Sequence, residues 1–194
     1  MDAGFYEKLF VGGNMMFEIF GEFDSAEEIN KAAAAQLEQG DMQAVRDIAK
    51  ENGLDLDDAE DYIAGDMEEL CNPLMAALGK LKIERADLEL KGVLEDWYDI
   101  VTDMCVNDEA VRAAVRRKDK SLKVFMSLIL AKAFDTKELV SSKIVKITKV
   151  KNGKEQMRSP VYLGIPNRAE IRNICKDYYL SLIHISEPTR RSYI

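Results

Sequence analysis

Three cysteines, Cys71, Cys105 and Cys175, and a single histidine, His184, are the side chains of this 194-residue chain best suited to nucleophilic or metal chemistry. The cysteines are far apart and lack metal-ligand spacing, so they read as buried thiols of a reducing compartment. His184 falls in Leu180-Ser-Leu-Ile-His-Ile-Ser-Glu-Pro-Thr-Arg190, which resembles the in-frame translation of a transposase-end adapter from a sequencing library. With residues 180–194 set aside as such a tail, no histidine remains. Ser–His and Cys–His nucleophile pairs, histidine bases and most catalytic zinc sites are then excluded together. Carboxylates are plentiful, but no spacing singles out an acid–base pair. We therefore expect no catalytic residue, no metal and no cofactor.

Charge is the more informative chemistry. Residues 16–103 hold 24 acidic and 7 basic side chains (net −17), whereas 104–179 hold 8 acidic and 17 basic ones (net +9). The overall charge of −8 conceals this division. The positive half concentrates Arg112, Arg116, Arg117, Lys118, Lys120 and Lys123 around one helix end, where a helix dipole favours cations. Arg112 and Arg116 are expected one turn apart on the face opposite Val111 and Val115. A second stripe, Arg168, Arg172 and Lys176, repeats at four-residue spacing. Either set could meet phosphate or an acidic partner. The acidic half offers Asp57, Asp58 and Asp61, which could imitate nucleic-acid charge in a partner's basic groove. Residues 42–65 have the rhythm of a helix-turn-helix, but its second helix would present Asp57, Asp58, Glu60 and Asp61 to DNA and be repelled. A plain helical hairpin is the expectation there.

The elements that must position these groups are predominantly helical by apolar periodicity. Ser25 and Glu28 form a capping box opening a helix with Ala26, Ile29, Ala33 and Leu37 on one face. A second helix, with Val45, Ile48 and Ala49 inward, ends near Gly53, and a short third holds Leu56, Ala59, Tyr62 and Ile63. Pro73 after Asn72 restarts a helix expected to reach about Leu78. Periodicity lapses over 79–92, placing the seam between two halves there. Next come a helix carrying Leu94, Trp97, Tyr98, Val101 and Cys105, one capped by Asn107, and a nearly all-round apolar helix over 121–134 expected at the centre. From Thr136 we expect a helix first, then a short hairpin near 144–165 in which Asn152-Gly153 turns the chain toward Val161–Ile165. Pro166 and Asn167 introduce a last helix with Ile171, Ile174, Cys175 and Tyr178 inward. The fold class expected is all-α, two small helical halves with at most one short β-hairpin.

No apolar run approaches the ~20 residues of a membrane span, and no charged-then-apolar leader is evident, so a cytoplasmic chain is expected. Val11-Gly-Gly-Asn-Met15 resembles a translated ribosome-binding site, which makes 1–15 a mis-called leader in this reading and Met15 or Met16 the start.

In its second half the chain resembles the PcfK-like proteins of conjugative elements. The matching features are Asn107-Asp-Glu-Ala-Val111, Lys120-Ser-Leu-Lys123, the amphipathic helix through Ile129, Lys132 and Ala133, and the closing Tyr178-Tyr179. The match spans 107–179; the acidic half and residues 151–160 depart from the pattern. The division that follows is an acidic helical subdomain over 16–90 and a PcfK-like one over 91–179. The family has no catalytic residues, and one branch is an anti-CRISPR that inhibits a type II RNA-guided nuclease by binding it. The resemblance thus implies an interaction protein of a mobile genetic element, with a protein or nucleoprotein partner such as a CRISPR effector nuclease. The alternative is a conjugation accessory protein that binds nucleic acid, or a partner in the DNA-processing complex, through its basic face.

Overall fold

The computed structural model describes residues 19–181; the expected leader, His184 and most of the adapter-like tail lie outside them. The described chain is helical, as the apolar spacing predicted, and carries two short antiparallel strand pairs where one hairpin was expected. Helices α1 (Ala26–Glu38), α2 (Met42–Glu51) and α3 (Leu56–Ala64) form the first half. Side chains supply their caps: Ser25 accepts from the Glu28 amide, Asp41 from Ala44 and Asp55 from Asp57. Each satisfies a first-turn N–H that the helix itself cannot. Ile29, Ala33, Val45, Ile48, Ala49, Ala59 and Tyr62 bury one face of each helix in a common cluster with Leu54, Leu70 and Cys71.

Helix α4 (Pro73–Asp87) runs on through the expected seam. Asn72 caps it by accepting from the Leu74 and Met75 amides, with Pro73 in the first turn. Its buried positions are Ala76, Ala77, Gly79, Lys80, Leu81 and Glu84, a helical spacing. Apolar periodicity lapses because two of those positions carry charge, not because the helix stops. The change from one cluster to the other falls inside α4, between Ala76 and Ala77.

The second half is built by α5 (Val93–Asn107), α6 (Glu109–Arg116), α7 (Leu122–Asp135) and α9 (Arg168–Leu180) around Trp97, Val101, Cys105, Val115, Phe125, Ile129, Cys175 and Tyr179. Asp108 caps α6, one residue beyond the expected Asn107, its carboxylate accepting from the Ala110 and Val111 amides. Asn167 and Glu170 complete a capping box on α9. Helix α7 is not enclosed all round. Leu122, Phe125, Met126, Ile129 and Ala133 face inward, while Leu130 and Phe134 are 49% and 61% exposed.

Between α7 and α9 the expected leading helix gives way to β1 (Glu138–Leu139) and a four-residue α8 (Ser142–Val145). The hairpin at Asn152-Gly153 forms, but it joins β2 (Lys149–Val150) to β3 (Glu155–Gln156). Its expected partner segment supplies β4 (Tyr162–Leu163), which pairs with β1 instead. Lys151, Asn152 and Gly153 all take positive φ (51°, 57° and 77°), a turn that Asn and Gly enter at little cost. Residues 137–165 thus form an arm at the far end of α7.

The two halves approach most closely where α2 ends on α4. A Cβ at Gly79 would overlap the Asn52 carbonyl oxygen, and one at Gly53 the Gly79 carbonyl. The backbones meet because neither carries a side chain. Replacing Gly79 with Ala is expected to cost about 1–3 kcal/mol by overpacking, read as a lower urea midpoint with an unchanged slope. An unchanged midpoint would show that the halves can separate here without loss.

Candidate functional site

The turn from α6 to α7 was the expected basic docking surface, and the structure takes two of its six cations out of reach. Arg116 and Lys120 are 2% and 1% exposed. Arg116 continues the inward face of α6 beyond Val115 because α4 and the end of α2 cover that side. Its guanidinium donates to Asn52 Oδ1 at 2.6 Å, and Asn52, fully buried, donates in turn to the Ile48 carbonyl at 2.8 Å. Burial pulls the Arg116 pKa down, opposed by the nearby carboxylates of Glu22, Glu84 and Asp24. Lys120 Nζ donates to the Tyr178 and Ser181 carbonyls at 2.8 and 3.0 Å and lies 4.9 Å from the Tyr178 ring centre. It closes the C-terminus of α9, where an ammonium meets both orphan carbonyls and the negative end of the dipole.

The remaining cations of the cluster are also engaged in the fold. Arg112, half-buried, turns back to the end of α5 and donates to the Cys105 and Val106 carbonyls, both at 2.9 Å. Arg117 pairs with Asp119 at 2.7 Å. Lys118 is exposed beside Asp24 and Glu28 at 3.7 and 3.9 Å, and Lys123 is exposed on the first turn of α7. The stripe on α9 meets acids at the end of α5 and the start of α6: Arg172 and Arg168 reach Asp103 at 2.6 and 3.5 Å, and Lys176 reaches Asp108 at 3.6 Å. These arginines and lysines hold helices together at their rims.

A second pair of charges, which the sequence reading missed, organises the same turn. Lys80, 1% exposed, donates to the Arg117 and Lys120 carbonyls at 2.6 and 2.8 Å and pairs with Glu22 at 2.5 Å. One turn further along α4, Glu84 accepts from the Leu122 amide at 2.8 Å. Asp24 accepts from the Lys118 amide at 2.7 Å, and the Tyr178 hydroxyl from the Ser121 amide at 2.7 Å. Lys80 and Glu84 were legible as a four-residue pair on α4. Their role was hidden because nothing in that spacing says that a loop backbone lies opposite.

The acidic candidates are placed differently. Asp57 and Asp61 are exposed and Asp58 half-exposed on α3. Residues 55–69 carry eight carboxylates and no Lys or Arg. Glu60 is held by Arg46 of α2 at 2.5 and 2.9 Å. Leu56, 49% exposed, lies among these acids on the same helix, and Met42 at the start of α2 is 47% exposed. The surface is acidic with apolar points within it.

The groups suited to covalent chemistry are sealed. All three cysteines are free and buried, and burial pushes each thiol up to about 12, far from the thiolate a nucleophile needs. A cleft of about 590 Å³ between the start of α1 and α6 is lined by Asp24, Glu27, Arg112, Arg117 and Tyr179 among others. Of its two carboxylates, Glu27 is tied to Lys31 at 2.7 Å, which lowers its pKa. Glu84, the carboxyl that burial pushes up to about 7, lies outside that lining. Among the described residues no group of three or more His, Cys, Asp or Glu could hold a metal ion, and no helix is long and apolar enough to cross a membrane.

Glu84 makes the buried turn sensitive to pH. Its pKa is about 7 in the folded chain against an ordinary 4.5, so folding favours the protonated form. The stability this contributes is complete below pH 4.5 and is lost as pH rises through about 7. At 1.36 kcal/mol per unit, Glu84→Gln, which keeps an acceptor for the Leu122 amide, should gain up to about 3 kcal/mol on the natural chain between pH 4 and pH 8. Urea titrations at both pH values test this; a constant difference would mean that Lys80 and Arg116 fully compensate the carboxylate.

Neither a family model, a curated protein nor a solved structure matches this chain, so its function is read from its own geometry and chemistry.

Proposed function

We propose that this chain is a non-enzymatic interaction protein that presents the acidic surface of α3 to the basic groove of a nucleoprotein. The carrying observation is the run of eight carboxylates over 55–69, uninterrupted by Lys or Arg, of which Asp57, Asp58, Glu60 and Asp61 stand on α3 and Asp55 caps it. A continuous row of fixed negative charge can occupy a groove built for phosphates and compete with the nucleic acid there. Exposed Leu56 within that row adds the apolar contact that distinguishes a docking surface from a merely solvated one. The sealed thiols and the ion-paired Glu27 support action by occupancy rather than by chemistry.

The resemblance of 107–179 to PcfK-like proteins names the partner class most worth testing, a type II RNA-guided nuclease, and with it an origin on a mobile genetic element. Binding would require no transformation of the partner: a groove filled by α3 cannot admit target DNA. The second reading, an accessory protein of conjugation gripping nucleic acid through the 112–123 turn, is less supported, because Arg116 and Lys120 are buried and Arg112 and Arg117 are engaged.

The full chain mixed with such a nuclease, its guide and target DNA should suppress cleavage and co-migrate with the enzyme on a sizing column. Asp57→Lys, Asp58→Lys and Asp61→Lys together should weaken inhibition at least tenfold with the helical circular dichroism unchanged. Inhibition that survives the triple reversal would remove α3 from the interface. Normal cleavage by nucleases of several subtypes would remove this partner class altogether.

A further inference from the structure

The arm, residues 137–165, contributes to neither apolar cluster, although Val145 within it is buried. Its strands pair with one another, β1 with β4 and β2 with β3, while the helix-on-helix contacts hold the body together without them. Gly164 is its tightest point on the body, where a Cβ would overlap the Ala133 carbonyl oxygen. Two-stranded ribbons of this length are marginal alone in water. Residues 137–158 carry Lys137, Lys143, Lys146, Lys149, Lys151, Lys154 and Arg158 against Glu138 and Glu155, a net of +5 in an acidic protein. All seven cations are exposed. Glu155 is engaged by Lys151 at 3.1 Å, and Lys137 sits 5.2 Å from the Phe134 ring centre. Lys143, Lys146, Lys149 and Lys154 have no acidic partner among the described residues. Ile147, beside them, is 80% exposed.

We propose that this arm binds duplex DNA, with the β2–β3 ribbon entering a groove and its lysines on the phosphates. Three observations carry it. Four of the cations, Lys143, Lys146, Lys149 and Lys154, have no acidic partner among the described residues, unlike Arg172. Lys149, Lys151 and Lys154 sit on a two-stranded ribbon, which the major groove, about 12 Å wide, admits, and Lys143 and Lys146 belong to α8 and its end just before it. The arm is also far from the acidic surface of α3. Helix α7 starts at the buried turn that meets α4 and runs 14 residues, about 20 Å at 1.5 Å each, to the base of the arm. The carboxylates of α3 therefore do not cancel the arm's field, since that span exceeds the Debye length of about 8 Å at physiological salt. Ile147 and Leu139, 80% and 61% exposed, are apolar enough to meet thymine methyl groups or wedge a base step. An acidic protein would satisfy the lysines equally well, and the test separates the two.

The full chain, without any nuclease, is titrated with a short DNA duplex at rising salt. Binding should be measurable at low salt, with log K falling against log salt at a slope of about −3 to −5, as expected for a few engaged phosphates. Lys149→Glu, Lys151→Glu and Lys154→Glu together should lower affinity at least tenfold, while Lys82→Glu on the exposed face of α4 should leave it within twofold. Ile147→Ala should lower affinity while leaving the salt slope unchanged, because its contact releases no counterion. No binding at low salt, or binding indifferent to the triple reversal, overturns the proposal. Displacement of the duplex by polyglutamate at equal charge concentration also overturns it, and points to an acidic protein. Because no nuclease is present, failure here leaves the reading of α3 untouched.

Discussion

The whole arrangement depends on a backbone turn that would otherwise be buried without partners. Residues 117–122 join α6 to α7 beneath α4 and α9, and a buried amide or carbonyl left unpaired costs about 1–3 kcal/mol. Lys80 takes two of its carbonyls, Glu84 the Leu122 amide, Tyr178 the Ser121 amide and Asp24 the Lys118 amide. Three separate stretches of chain, the segment before α1, α4 and α9, are thereby committed to one loop. The same contacts fix how the acidic half sits on the basic one, because Glu22 and Asp24 precede α1 while Lys80 and Glu84 belong to α4. A purely apolar junction would tolerate sliding. A set of charge-assisted hydrogen bonds to particular carbonyls and amides does not.

This constraint explains why some features were legible in the sequence and others not. Local signals survived: Ser25, Asn72 and Asn167 cap the helices they were expected to cap, and Gly53 ends α2 with φ +68°. Each depends on a few neighbouring residues and a single backbone conformation. The errors share the opposite cause. Helix α4 was cut short because Lys80 and Glu84 occupy buried positions that apolar periodicity cannot count. Arg116 and Lys120 read as surface cations for the same reason, since their acceptors, Asn52 and the end of α9, lie 64 and about 60 residues away in sequence. The arm was half legible. Asn152-Gly153 announced a turn, but the pairing of β1 with β4 closes a loop across α8 and the first hairpin that no local motif encodes.

Separating structural from available charge changes what the overall balance means. The +9 of 104–179 suggests one basic face, yet Arg112, Arg116, Arg117 and Lys120 bond to the fold, and Arg168, Arg172 and Lys176 stand against Asp103 and Asp108. Those positive charges neutralise carbonyl ends and carboxylates at interfaces. What remains to act on another molecule is concentrated at two places, the carboxylates of α3 and the lysines of the arm. A count over residues cannot find this, because it weights a buried capping lysine and an exposed one equally.

The two available surfaces are held apart by α7, with α9 packed along it. The capped C-terminus of α9 at Lys120 and its N-terminus beside Lys132 set the two helices antiparallel. The two surfaces carry opposite charge, and both can act at once only on a partner whose surfaces match in sign and spacing. A protein with a cationic groove beside bound nucleic acid offers both within one particle. In that geometry the second contact is intramolecular once the first is made, so two individually weak charged contacts combine into strong occupancy. The same contacts fade together as salt rises. Lys80, Glu84 and Lys120 at the turn, 1%, 6% and 1% exposed, are by contrast shielded from solvent.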